Sequence, residues 1–334
     1  MFMLKKQVYK SVYGEIGLML ILLFCCVLSL RFGSTDMSTK EFFGAFVMNK
    51  ELQTESFILF QLRLPRILAC VLAGAGLSLS GVLLQNVTGN ELASPNIIGV
   101  NAGAGFSMIV MMFLVPGAVF LRPVGAFAGA VTTTLIILAV ASKGHFSKST
   151  VILCGVAITA VLNAGISFLS YLNPDILMDY NHFSVGGVSG ADYKELLLPA
   201  VIILVVFVLA LVLSSKIDTL CLGDSLANSL GVKVKELRVA SLVLAGLSAA
   251  AVVSFAGLLG FVGLVVPHIV RRMYGTDTGK MLRACVPVGG ITVVIADLMG
   301  RILFAPSEIP VGVVMAFVGA PFLLYMVLRR DKNA

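Results

Sequence analysis

The chain has 334 residues, 58% of them hydrophobic and only 12% charged, with a mean hydropathy of +1.02. A water-soluble domain cannot hide that much apolar surface, so the composition excludes one and points to an all-α polytopic membrane protein. The net charge of +7 would suggest nucleic acid in a soluble protein; here it reads as basic loops on one side of a bilayer.

The apolar run after Glu15 lacks a small-residue cleavage site, so residues 15–31 read as a retained first span rather than a cleaved signal. Ser38–Met48 (STKEFFGAFVM) opens with a cap residue followed three positions later by Glu41, which predicts a short interfacial helix. Further spans are expected over 57–85, 93–115, 120–141 and 150–170.

The stretch GNELASPNIIG, Gly89–Gly99, joins the second and third of these spans. Asn90 and Ser94 can satisfy free backbone groups there, and Pro95 suits a first helical turn. Gly99, Gly103 and Gly105 then recur along one helix with Asn101 among them, a small-residue face that lets helices approach closely. Two readings stand side by side. One is a tight turn before a packing face. The other is a constriction, because polar non-helical backbone is tolerated at membrane depth only where it lines a cavity or is buried in protein.

Asn173–Glu195 holds Pro174, Gly186, Gly187, Gly190 and a capping Asp192, and predicts a broken helix near one surface. The last spans are expected over 196–214, 239–256, 258–269, 284–301 and 311–328. The eighth, 258–269, is too short to cross lipid alone and must lean on its neighbours. Ten spans put both termini on one side. With the N-terminus inside, two thirds of the 24 Lys and Arg fall in inside segments, which supports cytoplasmic N- and C-termini. Arg31, Lys40, Lys50, Arg63, Arg66, Arg122, Lys194 and Arg301 remain outside. The six cysteines show no metal-ligand spacing and read as buried free thiols.

A shift of 172 residues places Arg66 on Arg238, Leu72-Ala73-Gly74 on Leu244-Ala245-Gly246, Leu92 on Leu264 and Pro95 on Pro267. In this topology the two copies run in opposite directions, as in the inverted repeats of transporters, whose halves rock around a shared midline. The halves lie at about 57–170 and 239–328 of a single transmembrane domain, 1–334.

Four stretches carry a family resemblance: RLPR at Arg63–Arg66, followed by LAGAGLSLSGVLLQ; NELASPNIIGVNAGAG; GFVGLVVPHIVRR at Gly260–Arg272; and ADLMGRILFAPSEIPVGVVMAFVGAPFLLYMVLRR from Ala296. In this order they resemble the iron-siderophore and vitamin B12 (FecCD-type) family of ABC importer permeases over nearly the whole chain. The resemblance implies a vitamin B12 importer permease-like fold of ten spans, paired with a second permease subunit as homodimer or heterodimer, with the pathway between them. It also implies two ATP-binding partner subunits and an extracytoplasmic substrate-binding protein. On this resemblance Arg63, Arg66 and Arg301 match arginines that meet acidic residues of the binding protein. Asn90 and Leu92 match an inner gate loop whose pattern is Asn-Pro-Leu-Ala-x-Pro; Glu91 stands where the second residue should be proline. Thr159 falls near a second gate element. Gly223–Arg238, with Gly223, Asp224, Leu226, Leu230 and Gly231, matches the coupling helices that sit in a groove of the ATPase. The implied function is a non-enzymatic permease subunit in the bacterial cytoplasmic membrane, moving a metal chelate inward, with a ferric siderophore leading and cobalamin or haem as alternatives. No cofactor is expected on the chain itself, since ATP and Mg belong to the ATPase.

The residues themselves agree. Arginine offers a planar fork for carboxylates. The alternative for Arg63 and Arg66 is headgroup anchoring at a span end, and Asp297 four residues before Arg301 is a competing partner. Glu308, beside Ile309-Pro310, reads as a helix-start residue. Leu226, Leu230 and Val234 at spacing four could mark either an amphipathic surface helix or, broken at Gly231, two short helices forming a docking knob. No Walker A motif is present, so ATP must bind another chain.

An ion-coupled secondary transporter would need an intramembrane carboxylate or histidine. Asp297 lies near a span end, Glu91 lies in a loop, and His268 reads as a helix terminus at the inner face or a contact to the ATPase. A membrane protease could be built on Gly187-Val188-Ser189-Gly190 with His268 as base. That topology separates the two by about 30 Å, far beyond the reach of proton transfer.

Overall fold

The computed structural model describes the backbone of residues 2–33, 38–46, 53–142 and 148–330. Its helices, in chain order, are α1 (Phe2–Arg31), α2 (Thr39–Phe46), α3 (Gln53–Phe57), α4 (Leu64–Thr88), α5 (Val100–Leu114), α6 (Arg122–Ser142) and α7 (Lys148–Leu172). They continue with α8 (Pro174–Val185), α9 (Tyr193–Cys221), α10 (Asp224–Ser229), α11 (Val234–Ala256), α12 (Val262–Tyr274), α13 (Thr278–Ile302) and α14 (Val311–Arg330). Among the described residues there is no strand. Seven segments of the described residues are long and apolar enough to cross a membrane: Tyr13–Arg31, Thr54–Thr88, Val119–Ser142, Ser149–Leu172, Tyr193–Cys221, Val234–Ala256 and Thr278–Ile302. The shorter apolar α5 and α14 fall in two of the remaining expected crossings, and the 13-residue α12 falls at the third.

Several helix ends follow their predicted chemistry. Ser38 N–H donates to Glu41 Oε2 at 2.7 Å and Glu41 N–H donates back to Ser38 Oγ at 3.3 Å, which closes the capping box of α2. Hydrogen bonds from the Ser38 N–H and the Ser38 hydroxyl hold the Glu41 carboxyl below the usual carboxylate range. Met48, the end of the predicted interfacial helix, lies outside the described residues, as do Lys50 and Lys143. Asn173 caps α8 and Asp192 caps α9, so the broken helix expected over Asn173–Glu195 is present.

Two spans depart from expectation. The second begins with a six-residue π-helical stretch, Ile58–Arg63, ahead of α4. Pro65 lacks the N–H that an α-helix would aim at the Gln61 carbonyl, and a local change of register accommodates that. The third is not one helix. Pro95–Ile98 forms a 3₁₀ turn, Gly99 adopts φ +69, and only then does α5 begin. The eighth span is α12, 13 residues long and shifted toward the chain end relative to 258–269. Of the cysteines, Cys25, Cys70 and Cys285 are buried, but Cys221 is exposed at the end of α9, contrary to its reading as a buried thiol.

Helix α4 is the centre of the bundle, with every residue from Ala73 to Thr88 buried. It touches α13 at Gly74, where an added Cβ would lie 2.1 Å from the Gly289 carbonyl oxygen, and α12 at Gly81, 1.9 Å from that of Gly263. Only glycine permits backbone contact this close, and the close packing substitutes for a hydrophobic drive that lipid does not supply. Buried serines add hydrogen bonds across helices: Ser78 Oγ to the Cys285 carbonyl at 2.9 Å, Ser80 Oγ to Ala245 at 2.7 Å and Ser248 Oγ to Gly76 at 2.8 Å.

The last two bonds fix the sense of the repeat. Ser80 meets Ala245 while Gly76, earlier on α4, meets Ser248, later on α11. The two helices therefore run antiparallel. Gly76 and Ser248 are themselves 172 residues apart, so matched positions of the two copies touch each other. Equivalent residues in contact are what a two-fold relation between opposed halves requires.

The bundle has two polar ends. One gathers the end of α1, the starts of α4 and α14, and the end of α13: Arg63 bonds Leu30 and Arg31, Arg301 bonds Phe32, and Arg66 bonds Glu308. The other gathers Glu15 of α1, the start of α13, the ends of α4, α9 and α12, and α10 with the start of α11. The first is called the arginine end below, the second the turn end.

Candidate functional site

Three residue groups carry the candidate chemistry: one at the arginine end and two at the turn end. At the arginine end, Asp297 of α13 is 1% exposed and is shared by two guanidiniums. Arg66 Nε lies 3.0 and 3.1 Å from its two oxygens and Arg66 Nη2 lies 2.8 Å from Oδ1. Arg301 Nε lies 2.9 Å from Oδ2, so the partner expected four residues earlier on the same helix is present. Arg66 Nη1 reaches outward to Glu308 Oε2 at 2.6 Å. Glu308 therefore belongs to this network, and its reading as a helix-start residue is revised: an arginine 242 positions earlier holds it.

Arg63 and Arg301 do not extend toward solvent. Arg63 is 5% exposed and Nη1 donates to the Leu30 and Arg31 carbonyls at 2.7 and 3.1 Å, capping the end of α1. Arg301 donates to the Phe32 carbonyl at 3.3 Å and to Ser29 Oγ. The buried end of α1 would otherwise leave orphan carbonyls, and arginine satisfies them. Arg63, Arg66 and Arg301 nevertheless line a common cavity of about 430 Å³ with Gln61, Asp192 and Glu308. Sequence spacing alone places Asp297 near Arg301, whereas nothing local in the sequence marks Glu308 as the partner of Arg66.

At the turn end, Asn90 accepts the Leu92 N–H on Oδ1 at 3.0 Å, and its own N–H donates to the Gln85 carbonyl at 3.1 Å. Asn90 thus satisfies the backbone as expected, whereas Ser94 makes no side-chain cap. Glu91 does not hang free at the mouth. Its carboxylate lies 3.1 Å from Arg271 Nη1 and 3.7 Å from His268 Nδ1 on α12. Arg271 also donates to Gln85 Oε1 and Asn86 Oδ1 at 3.2 and 3.1 Å, and Asn86 in turn donates to Thr278 Oγ1 at 2.8 Å. A polar clasp therefore joins the first repeat, through α4 and its turn, to the second, through α12 and α13.

His268 is not the helix terminus it was read as. It lies within α12, with its ring edge-on to Phe322 at 5.7 Å between centroids. Thr159 of α7 lies beside Gly99, its Oγ1 buried with no hydrogen-bond partner among the described residues. Gly155, one turn earlier, packs on the Ile97 carbonyl. The sequence signals missed here are Gln85-Asn86 closing an apolar helix and Arg271-Arg272 closing another.

Beside this clasp stands α10. Gly223 at φ +114 starts it, Asp224 opens the helix, and Gly231 at φ +80 ends the turn after Leu230. Asp224 is clamped by Arg238 Nη2 at 2.7 and 2.9 Å, which ties α10 to the first turns of α11. Leu226 and Leu230 are exposed, while Ala227 is buried beneath them. Two expectations change. There is one short helix rather than two, because the residues after Gly231 form the first turn of α11. Val234 is 8% exposed, so it does not continue the surface stripe of Leu226 and Leu230.

The decisive comparison is with known families, where the FecCD transport family profile matches residues 21–329. The chain belongs to the FecCD transport family. Within it, the chain is 36% identical over 271 residues to the Fe(3+)-citrate import system permease protein YfmE of Bacillus subtilis, covering 81% of each. It is 32% identical over 325 residues to the hemin transport system permease protein HmuU of Yersinia pestis, covering 95% of this chain and 96% of the relative. Among solved structures, a transporter assigned to the metal-chelate ABC type in an inward-facing conformation superposes with a TM-score of 0.85. That superposition has 28% identity and covers 95% of this chain and 99% of the other. The family and the apolar helices together make this a multi-pass membrane protein of the FecCD permease fold.

Proposed function

We propose that this FecCD-family chain is the transmembrane permease subunit of a bacterial ABC importer, a single transmembrane domain that carries a metal chelate inward across the cytoplasmic membrane. A ferric siderophore is the cargo class the reading favours. A haem importer is the second reading, supported by the 32% identity to the hemin permease over nearly the whole chain. In this reading the chain is not itself an enzyme. Two partner ATPases bind ATP and Mg²⁺, a second permease subunit completes the pathway, and an extracytoplasmic protein delivers the cargo.

The observation that carries the reading is the joining of both repeats at the turn end. An antiparallel pair of halves, cross-linked through Gln85, Asn86, Glu91 and Arg271, ends beside a short helix that presents Leu226 and Leu230. A partner ATPase gripping α10 could pull on α11 through Asp224–Arg238, and motion of α11 against α4 is motion of one repeat against the other. The proposed orientation puts the turn end and both termini in the cytoplasm. It is supported by the basic residues of the turn end: Lys216, Lys233, Lys235, Arg238, Arg271, Arg272, Lys280 and Arg283.

At the opposite end, Arg66 with Glu308 forms the rim on which a binding protein would dock, with Arg63 and Arg301 stiffening the floor. Asn90, Glu91, Leu92 and Thr159 stand as the inner gate. Purification of the tagged chain from its host tests the assembly. An ATPase, a second permease and a chelate-binding protein should co-purify; recovery of the chain alone, active in ATP-free vesicles on a proton gradient, would replace this reading with a secondary transporter.

A further inference from the structure

Helices α6 and α9 each pack along α11 but make no substantial contact with one another. The gap between them is a lateral groove of about 300 Å³ near the arginine end. Phe120, Val124, Phe127, Leu198 and Ile202 wall it, and Ser254 of α11 forms the floor. Both flanking helices are membrane-spanning segments, and Phe120, Val124 and Leu198 are exposed. The groove shares Pro123, Glu195 and Ser254 with a second cavity of about 440 Å³. That second cavity is lined by Arg122, Asp179, His182 and Glu195, and Arg122 Nη1 lies 3.1 Å from Asp179 Oδ2 across it. Lys194 stands at the mouth of the groove.

We propose that the two cavities form one binding site for a phospholipid with a zwitterionic primary-amine headgroup, phosphatidylethanolamine. Charge and shape both fit that lipid. An apolar slot open to the hydrocarbon takes an acyl chain. At its polar end, cations (Arg122, Lys194) and carboxylates (Asp179, Glu195) stand together at the starts of α6 and α9 and on α8. A phosphate binds the first set, with arginine the stronger through its planar fork. An ammonium donating hydrogen bonds binds the second. A purely anionic lipid meets the carboxylates unfavourably, and a trimethylated amine has no N–H to donate to them. Such a lipid would wedge α6 and α9 apart at a fixed distance on α11, the helix that bears half of the repeat contact. This site goes beyond the transport reading and does not depend on it.

Native mass spectrometry of the intact chain in mixed micelles tests it, with phosphatidylethanolamine, phosphatidylcholine and phosphatidylglycerol offered in equal amounts. One ethanolamine lipid should be retained per chain, with about tenfold preference over the other two, the factor lost with one charge-assisted contact. Leu198→Trp, which fills the slot, should abolish that retention, and Arg122→Gln should weaken it about tenfold. Leu204→Trp, on the lipid-exposed face of α9 away from the groove, should keep it and so controls for folding. Equal retention of the three lipids, or undiminished retention by Leu198→Trp, would overturn the proposal.

Discussion

Asp297 and Glu91 are both carboxylates that join distant parts of the chain, yet their surroundings assign them different weights. Asp297 is 1% exposed and holds Arg66 and Arg301 at once, and the Arg301 side chain is itself only 3% exposed. Removing its charge leaves two guanidiniums without their shared counter-ion, and breaking a buried ion pair costs about 3–5 kcal/mol. Asp297→Asn should therefore lower the unfolding free energy measured by denaturant in detergent by an amount in that range. The Glu91 side chain is 54% exposed, and solvent screens its pairing with Arg271. Glu91→Gln should cost less than about 1 kcal/mol in the same assay. Arg271→Ala should cost more than Glu91→Gln, since Gln85 and Asn86 lose their shared donor as well. Equal effects of Glu91→Gln and Arg271→Ala would show that the clasp is held by the ion pair alone.

At the level of elements, two glycines in membrane-spanning helices make a controlled comparison. A Cβ at Gly74 would strike the backbone of α13, whereas one at Gly17 on α1 meets nothing within 4 Å. Gly74→Ala should destabilise the bundle by about 1–3 kcal/mol through forced separation of α4 and α13. Gly17→Ala should be neutral or stabilising by about 0.5–1 kcal/mol, as expected of a mid-helix glycine. Helix α10 supplies a functional counterpart. Leu226 is 48% exposed, so Leu226→Asp should leave folding intact while ATP hydrolysis proceeds without transport. Fully coupled transport in that variant would remove α10 from the drive. Helix limits were legible in the sequence where local chemistry sets them, as with the Ser38–Glu41 capping box and the cap at Asp192. The break at Gly99 was not, because the packing of α7 on Ile97 and of α6 on Gly99 imposes it, and neither contact leaves a local trace.

For the whole molecule, the repeat could be read from the offset of 172 because both copies must bury the same small-residue faces. The contact between Gly76 and Ser248 could not, because it arises only when the halves are laid against each other. The arginine end was legible as a set of arginines and not as a network. Its bonds join residues 231 and 242 positions apart, and a pairing at that distance is decided by the fold. Burial turned Arg63 and Arg301 inward to cap α1, which leaves Arg66 and Glu308 as the pair at the rim.

The proposed transport cycle has two opposed halves opened by a nucleotide-driven partner that grips the turn end. Reconstituting the chain in liposomes with its co-purified ATPase, second permease and binding protein, and following entry of a radiolabelled ferric siderophore, tests that most directly. Accumulation should require ATP and the ATPase and should vanish when either is withheld. Accumulation by this chain alone, driven by a proton gradient in the absence of ATP, would contradict it.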